Sequence, residues 1–264
     1  YVFNKMLEWD VVTWTSMITI YSQEGRSHEA LQIFEKMRDA NVKADKVAFI
    51  SGLAACTTHM AMADGKQMHG YIDDSGIEID INMGNALVTM YAKCGNVDAA
   101  LGIFNEMPNQ DLISWNAVIT AFAQHGLGKE AIQFCQRMHT KGFSPTKVTF
   151  VGVLTACSHA GLIDEGCCFF KCMDDYKGIE LDVDHQDCMI DLFGRSGCLM
   201  ESEILVHKMP FQPTVLSCLA LLGSCKLVSD VNRGECIARM LYELDPSNAA
   251  PYVMLSNIYV AAGK

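Results

Sequence analysis

Positive charge is scarce in this 264-residue chain, which carries 20 Lys and Arg residues against 31 Asp and Glu, a formal net charge of −11. That balance excludes an indiscriminate nucleic-acid binder that is held by phosphate attraction alone. Long hydrophobic runs are missing as well, since the most apolar segment, VLSCLALLGSC at 215–225, is short and contains Ser217 and Ser224. A membrane-spanning helix needs about 20 apolar residues, so none is predicted.

Signatures of catalysis and metal binding are also missing. The sequence has no C-x-x-C pair, no H-x-E followed by P-C-x-x-C as in zinc deaminases, no glycine-rich phosphate loop and no nucleophile motif. Cys168 and Cys172 share a predicted helical face, and His185 precedes Cys188, but neither pair has the spacing of a zinc site. We therefore predict no catalytic residue, no metal, no cofactor and no enzyme activity in this chain. Any catalytic domain would have to lie downstream of Lys264 or belong to another protein.

An internal repeat is the strongest positive signal in the sequence. A shift of 101 positions places Trp14 on Trp115. It also aligns five further identical pairs: Ala30 and Ala131, Met37 and Met138, Phe49 and Phe150, Cys56 and Cys157, and Gly65 and Gly166. Within this long period, segments of roughly 31–36 residues repeat one helical pattern. The chain is therefore predicted to be an array of similar short repeats.

Each repeat has the pattern of two helices joined by a tight turn. In the first complete repeat, Trp14 and Ile18 belong to one apolar stripe, Gly25 offers a left-handed stop, and Ser27 is predicted to cap the second helix. Four other repeats have glycine at this turn, whereas the second has Met60, so its turn is predicted to close differently. Such hairpins stack into an all-α solenoid, in which each buries its stripe against its neighbours.

These repeats resemble the pentatricopeptide repeat (PPR) family, specifically the plant PLS class with E motifs. DVVTWTSMITIYSQEGRSHEALQIFEKMRDANVKAD resembles a P repeat, KVTFVGVLTACSHAGLIDEG an L repeat and GNALVTMYAKCGNVDAALGIFNEMP an S repeat. The resemblance implies a right-handed α-solenoid of helix-turn-helix repeats with a C-terminal motif similar to a tetratricopeptide (TPR) repeat. The implied boundaries are a partial S repeat at 1–10, P repeats at 11–45 and 112–146, L repeats at 46–80 and 147–182, S repeats at 81–111 and 183–214, a first E motif at 215–248 and a truncated second E motif at 249–264.

The resemblance also implies a function, the binding of single-stranded RNA with one nucleotide per repeat. In the family, the fifth and the last residue of a repeat together read the base. In this chain those pairs are Thr15/Asp45, Ile50/Asp80, Asn85/Asp111, Asn116/Thr146, Val151/Asp182 and Asp187/Thr214. Family usage implies the 5′ to 3′ pattern G, any, U, pyrimidine (C over U), any, any. Ile50 and Val151 cannot hydrogen-bond a base, and Asp187 is assigned no letter.

Two further residue classes follow from the same resemblance. The second residue of a repeat clamps the base, which assigns this role to Val12, Val47, Ile113 and Val148. Asn82 and Asp184 depart from the pattern, so their repeats are expected to grip more weakly. Lys93 and Arg195 are the predicted phosphate contacts. With so few cations, we expect modest affinity and a shallow dependence on salt.

A structural interpretation competes with each of these roles. The fifth residues could be ordinary polar residues near a helix start, and the aspartates that end repeats could be N-caps of the next helix, which is compatible with base reading. Lys93 and Arg195 could be solvated surface charges. The Val and Ile clamps could belong to the core.

The favoured function is site recognition for C-to-U RNA editing in a plant mitochondrion or chloroplast. The E region would recruit a deaminase domain or organellar editing-factor proteins. The alternatives are an organellar RNA stability or splicing factor, and a TPR-like protein-interaction scaffold that does not bind RNA. No membrane partner is expected, and apolar faces around Tyr252, Leu255 and Tyr259 favour dimerisation through the C-terminal end.

Overall fold

The structure, a computed structural model, describes residues 9–176, 178–208 and 210–263. All but the last two residues of the predicted partial repeat at 1–10 lie outside this description. In the described ranges the chain forms fifteen α-helices and one short 3₁₀ helix, and no strand occurs. The prediction of an all-α fold is confirmed.

The helices follow one another in seven pairs, each joined by a short turn, with one further helix at the end. Their bounds are α1 Val11–Gln23 and α2 Ser27–Asp39, α3 Lys46–His59 and α4 Met62–Ser75, α5 Ile81–Lys93 and α6 Val97–Glu106, α7 Leu112–Gln124 and α8 Gly128–Thr140, α9 Lys147–Ala160 and α10 Ile163–Cys172, α11 Val183–Arg195 and α12 Leu199–Lys208, α13 Val215–Val228 and α14 Val231–Leu244, and then α15 Ala250–Ala261. The 3₁₀ helix, Met173–Asp175, follows α10. The chain divides into two compact units, one ending at Ala121 and the other beginning at Phe122.

In the first unit, the first helix of each hairpin packs against the first helix of the next. Helix α3 lies between α1 and α5, and it also contacts α2 and its own partner α4. Phe34, Met37, Phe49 and Leu53 are buried in this unit. Each hairpin thus covers its apolar stripe with the hairpin that follows, as expected for a repeat array.

The second unit repeats this arrangement through α9, α11 and α13. Helix α11 contacts α9 and α13 as well as its own partner α12, and α15 packs on both α13 and α14. At its C-terminal end, a core of Leu221, Leu222, Cys225, Leu241 and Ile258 is buried. Residues 215–248 therefore continue the same helical-hairpin packing beyond Thr214.

The hairpin turns close through a left-handed residue. Gly25 has φ 71°, as predicted for the first turn. The prediction that the second turn closes differently is wrong, because Met60 adopts the same left-handed conformation, with φ 51°. A side chain in this region costs roughly 1–2 kcal/mol, a cost that the surrounding packing must offset.

Close packing, rather than capping, determines the residue at the start of the second helix. Ser27 is wrongly predicted as the cap of α2, since Arg26 occupies the N-cap and the buried Ser27 hydroxyl has no partner within the described residues. In the second unit, Gly128 stands at the equivalent place, and a Cβ there would lie 2.6 Å from the Ala160 Cβ. The position therefore needs a small residue.

Candidate nucleic-acid interface

Three of the predicted base-reading pairs are hydrogen-bonded in the structure. The Thr15 hydroxyl donates to Oδ1 of Asp45 at 3.1 Å, and Nδ2 of Asn85 donates to Oδ1 of Asp111 at 3.2 Å. In the predicted repeat at 183–214, the Thr214 hydroxyl donates to Oδ2 of Asp187 at 2.8 Å. The fold therefore brings the fifth and the last residue of a repeat together, although 26 to 30 positions separate them in sequence.

The last residue of each pair also caps the first helix of the next repeat. Oδ1 of Asp45 accepts a hydrogen bond from the backbone N–H of Ala48 at 2.8 Å, and Oδ1 of Asp111 accepts one from Ser114 at 2.9 Å. N-capping satisfies a backbone donor that would otherwise lack a partner at the helix start. The structural interpretation of these aspartates is thus correct, and it fixes the carboxylate beside the fifth residue.

Asn85 is left with an unsatisfied acceptor. The side chain is only 8% exposed, and its Oδ1 is buried without a hydrogen-bond partner in the described residues. The carboxylate that holds its amide remains ionised: burial acts to raise the pKa of Asp111, but hydrogen bonds from Ser114 and Asn85 together lower it. A buried polar atom without a partner is costly, so this oxygen favours a ligand that donates a hydrogen bond.

The repeats at 46–80 and 147–182, which are the predicted L repeats, pair their last residue with a lysine as well as capping the next helix. Their fifth residues, Ile50 and Val151, are partly exposed and apolar, and each terminal aspartate instead pairs with a lysine at the start of its own repeat. The Lys46 ammonium lies 2.9 Å from Oδ2 of Asp80, and Lys147 contacts Asp182. The backbone hydrogen bond from Met83, followed by the bond from Lys46, lowers the pKa of Asp80.

Sequence reasoning missed both lysines. The signal was present, because Lys46 and Lys147 are related by the same 101-position shift as Trp14 and Trp115. Their pairing neutralises the two carboxylates. In these two repeats the fifth and last positions therefore combine an apolar side chain with an ion-paired carboxylate.

The remaining pair, Asn116 and Thr146, falls on two different compact units. Asn116 is partly exposed on α7, and Thr146 caps α9 through a capping box with Thr149. Both side chains have further interactions. Across all six pairs, only Thr15 and Asn85 are buried, and the other ten residues keep some exposure.

The predicted clamps are surface residues. Val12, Val47, Ile113 and Val148 are 68%, 53%, 64% and 58% exposed, so the alternative that they belong to the core is wrong. Asn82 and Asp184, which occupy the same repeat position, are exposed too. The second residue of the first helix is therefore exposed in all six predicted repeats between residues 11 and 214, and in four of the six it is apolar.

The two predicted phosphate contacts differ in their electrostatic setting. Both Lys93 and Arg195 are exposed at the end of a first helix. Nε of Arg195 donates to Oδ2 of Asp191 at 2.8 Å, and the same oxygen accepts from the Ser158 hydroxyl at 2.5 Å. No acidic side chain of the described residues forms an ion pair with Lys93. Lys93 therefore offers the less screened charge.

The described residues contain no group of three or more His, Cys, Asp or Glu side chains that could hold a metal, and none of their helices is long and apolar enough to cross a membrane. All twelve cysteines are free. Burial raises the pKa of Cys56 and Cys157 to about 12, so these thiols act in packing and not as nucleophiles.

Solved structures of low sequence identity share this fold. The maize pentatricopeptide repeat protein PPR10, in complex with an 18-nt psaJ RNA element, matches with a TM-score of 0.62 at 15% identity, over 99% of this chain and 44% of PPR10. Nuclear proteinaceous RNase P 2 of Arabidopsis thaliana matches with a TM-score of 0.55 at 14% identity, over 72% of this chain and 45% of that one. These likenesses show an α-solenoid fold.

Similarity in sequence is stronger. CRR2, a chloroplastic pentatricopeptide repeat-containing protein of Arabidopsis thaliana, is 40% identical over 99% of this chain, and a mitochondrial protein of the same family and organism is 38% identical over 100% of it. The chain spans 40% and 41% of their lengths. The sequence model described as "PPR repeat family" matches residues 9–57 and 110–159, and the one described as "PPR repeat" matches 85–112 and 148–177. The chain belongs to the pentatricopeptide repeat family.

Proposed function

We propose that this chain binds single-stranded RNA, one nucleotide per repeat, as the site-recognition part of a C-to-U RNA editing factor in a plant organelle. The observation that carries the proposal is the repeated meeting of a fifth and a last side chain at a helix start. Thr15 bonds Asp45, and Asn85 bonds Asp111. An exposed apolar residue lies near each pair: Val12 is three positions before Thr15, and Ile113 follows Asp111 at the start of α7. Polar groups for base edges and apolar groups for base faces are what RNA recognition needs.

The chemistry of Asn85 supports a uracil at the third position. Uracil carries one N–H donor at N3 on its Watson–Crick edge, and Oδ1 of Asn85 is an acceptor without a partner. A rotation of the side chain that exposes this oxygen would let it accept from N3–H of uracil while Nδ2 stays on Asp111. The proposed pattern remains G, any, U, pyrimidine (C over U), any, any, with Lys93 and Arg195 at phosphates.

Family members support the RNA partner and the compartment. PPR10 is described in complex with an RNA element, and relatives of this chain are named chloroplastic or mitochondrial. We assign this protein to a mitochondrion or chloroplast on that basis. Because the net charge is −11, the proposed RNA binding depends on local contacts and not on a general attraction to phosphate.

The hairpin at 215–248 is assigned to protein recruitment. Tyr242 and Leu244 on α14 and Tyr252 on α15 are all 46% to 60% exposed, and the Tyr242 and Tyr252 rings meet edge to face. Exposed aromatic and aliphatic side chains of this kind are typical of protein interfaces. A deaminase domain or an organellar editing-factor protein is the proposed partner.

Equilibrium binding to two RNAs of equal composition tests this function. One carries the proposed pattern and the other has its nucleotides scrambled. We expect the patterned RNA to bind at least tenfold more tightly, since three selective positions are each worth about 1–3 kcal/mol. Equal binding, or no binding of either RNA, would favour the protein-scaffold alternative. Sequencing of organellar transcripts from plants that lack the parent protein then separates editing, where a cytidine downstream of the pattern stays unedited, from a role in stability or splicing.

A further inference from the structure

We propose that Asp187 and Leu216 form a guanine-binding site between α11 and α13, so that the sixth position of the RNA is a selective G. This inference rests on the proposed function and adds a letter where the family pattern gives none. It also extends the RNA contact surface past Thr214, onto a hairpin assigned to protein recruitment.

The site is a groove of about 1060 Å³ in the second compact unit. Asp187, Cys188, Asp191 and Arg195 line it from α11. Facing them on α13 is an apolar stripe whose members recur at helical spacing: Leu216, Leu219, Ala220, Gly223 and Leu227. Helix α9 adds a third side, which includes Ser158 and His159. The groove is therefore mainly polar along α9 and α11 and apolar along α13, as a flat nucleobase with a polar edge requires.

Asp187 is held in place and has acceptor capacity to spare. Its Oδ2 accepts from the Thr214 hydroxyl at 2.8 Å. A carboxylate offers about four lone-pair sites, so at least two remain for a ligand. Burial raises the pKa of the Asp187 carboxyl, and a partly desolvated carboxylate gains more from donors than one in water.

Guanine is the base whose edge matches an anion. Its N1–H and N2–H₂ groups are adjacent donors that can engage one carboxylate together, as in other paired contacts to this group. Adenine and cytosine offer one amino group beside a ring acceptor, and uracil offers one N–H between two carbonyl oxygens. These acceptors would face the Asp187 oxygens and be repelled, so the other three bases bind less well.

Leu216 supplies the wall against which the base packs. Leu216 and Val12 are both 68% exposed. Leu216 lies two positions after Thr214, and Val12 lies two positions after Asp10. Asp10 and Thr214 each cap the helix that follows them through a side-chain oxygen. Helix α13 packs closely on α11 here, since a Cβ on Gly194 would lie 3.0 Å from the Ala220 carbonyl oxygen.

Four RNAs that keep the first five positions of the pattern and differ only at the sixth test this proposal. We expect the unaltered chain to bind the G form about 5- to 150-fold more tightly than the A, C and U forms. Asp187→Asn should abolish that preference and favour pyrimidines, because it creates the Asn and Thr combination present in Asn116/Thr146. Leu216→Ala should weaken all four RNAs alike, by up to about fivefold.

Asp191→Asn is the matched control. It removes the same charge from the same helix and groove, so it should strengthen binding of all four RNAs without changing their order. Equal affinity of the unaltered chain for the four forms, or a G preference that survives Asp187→Asn, would overturn the guanine site while leaving selectivity at the first and third positions intact. Loss of that selectivity as well would overturn the proposed function and, with it, this site.

Discussion

Thr15→Asn is expected to change the preferred first nucleotide from guanine to uracil. The substitution creates, with Asp45, the Asn and Asp pair that is present in Asn85/Asp111. An Asn amide at this place can donate to Asp45 as Asn85 donates to Asp111 at 3.2 Å, and it then presents a carbonyl oxygen to the N3–H of uracil. Each exchange is worth about 1–3 kcal/mol, so the order of G and U should invert with a change of 25-fold or more in their ratio.

The reciprocal substitution provides an internal control. Asn85→Thr should change the third position from uracil to guanine, because it restores the Thr and Asp pair of the first repeat. A double variant should bind an RNA with the two letters exchanged as tightly as the unaltered chain binds the original. Competition binding with the four RNAs of this cycle measures the result. Variants that lose affinity for every RNA equally, without exchanging preferences, would contradict base reading by these pairs.

Combining Asn85→Ala with Asn116→Ala is expected to cause the largest loss of affinity for the patterned RNA. Each amide is proposed to contact a pyrimidine edge, and removal of one such contact costs about 1–3 kcal/mol. We expect a loss of 25-fold or more for the double variant, and little change with the scrambled RNA. The contrast between the two RNAs is the diagnostic result, because general damage to the fold would weaken both.

Asn105→Ala is a suitable control for this experiment. Asn105 is exposed on α6, away from the fifth position of its repeat, and removal of its amide should leave both affinities unchanged. Circular dichroism of all variants verifies the helical content. If the double variant kept both the affinity and the sequence preference of the unaltered chain, Asn85 and Asn116 would not read bases.

Periodicity made most of the fold predictable from the sequence. Apolar residues at helical spacing identify the first helix of the hairpin at 11–39, and the prolines fall outside helix interiors, as Pro108 after α6 and Pro145 before α9 illustrate. The failures concern local packing. Met60 adopts a backbone conformation that favours glycine, and Ser27 is buried at the start of α2 without capping it.

The candidate site was predictable as a set of residues and not as a network. Family resemblance named Thr15, Asp45, Asn85 and Asp111, and the structure adds that one aspartate oxygen both caps a helix and holds the fifth side chain. The lysines that pair with Asp80 and Asp182 depend on distances between helices. Lys46 and Asp80, for example, lie 34 positions apart in sequence, and spacing alone does not reveal such a contact.

The central claim is that successive nucleotides meet successive repeats. Its most direct test is the affinity of the patterned RNA with one nucleotide inserted between the third and fourth positions. With one nucleotide per repeat, the insertion moves the selective fourth letter out of register, and we expect affinity to fall about fivefold or more, since one such contact is worth about 1–3 kcal/mol. Unchanged affinity after the insertion would contradict the account.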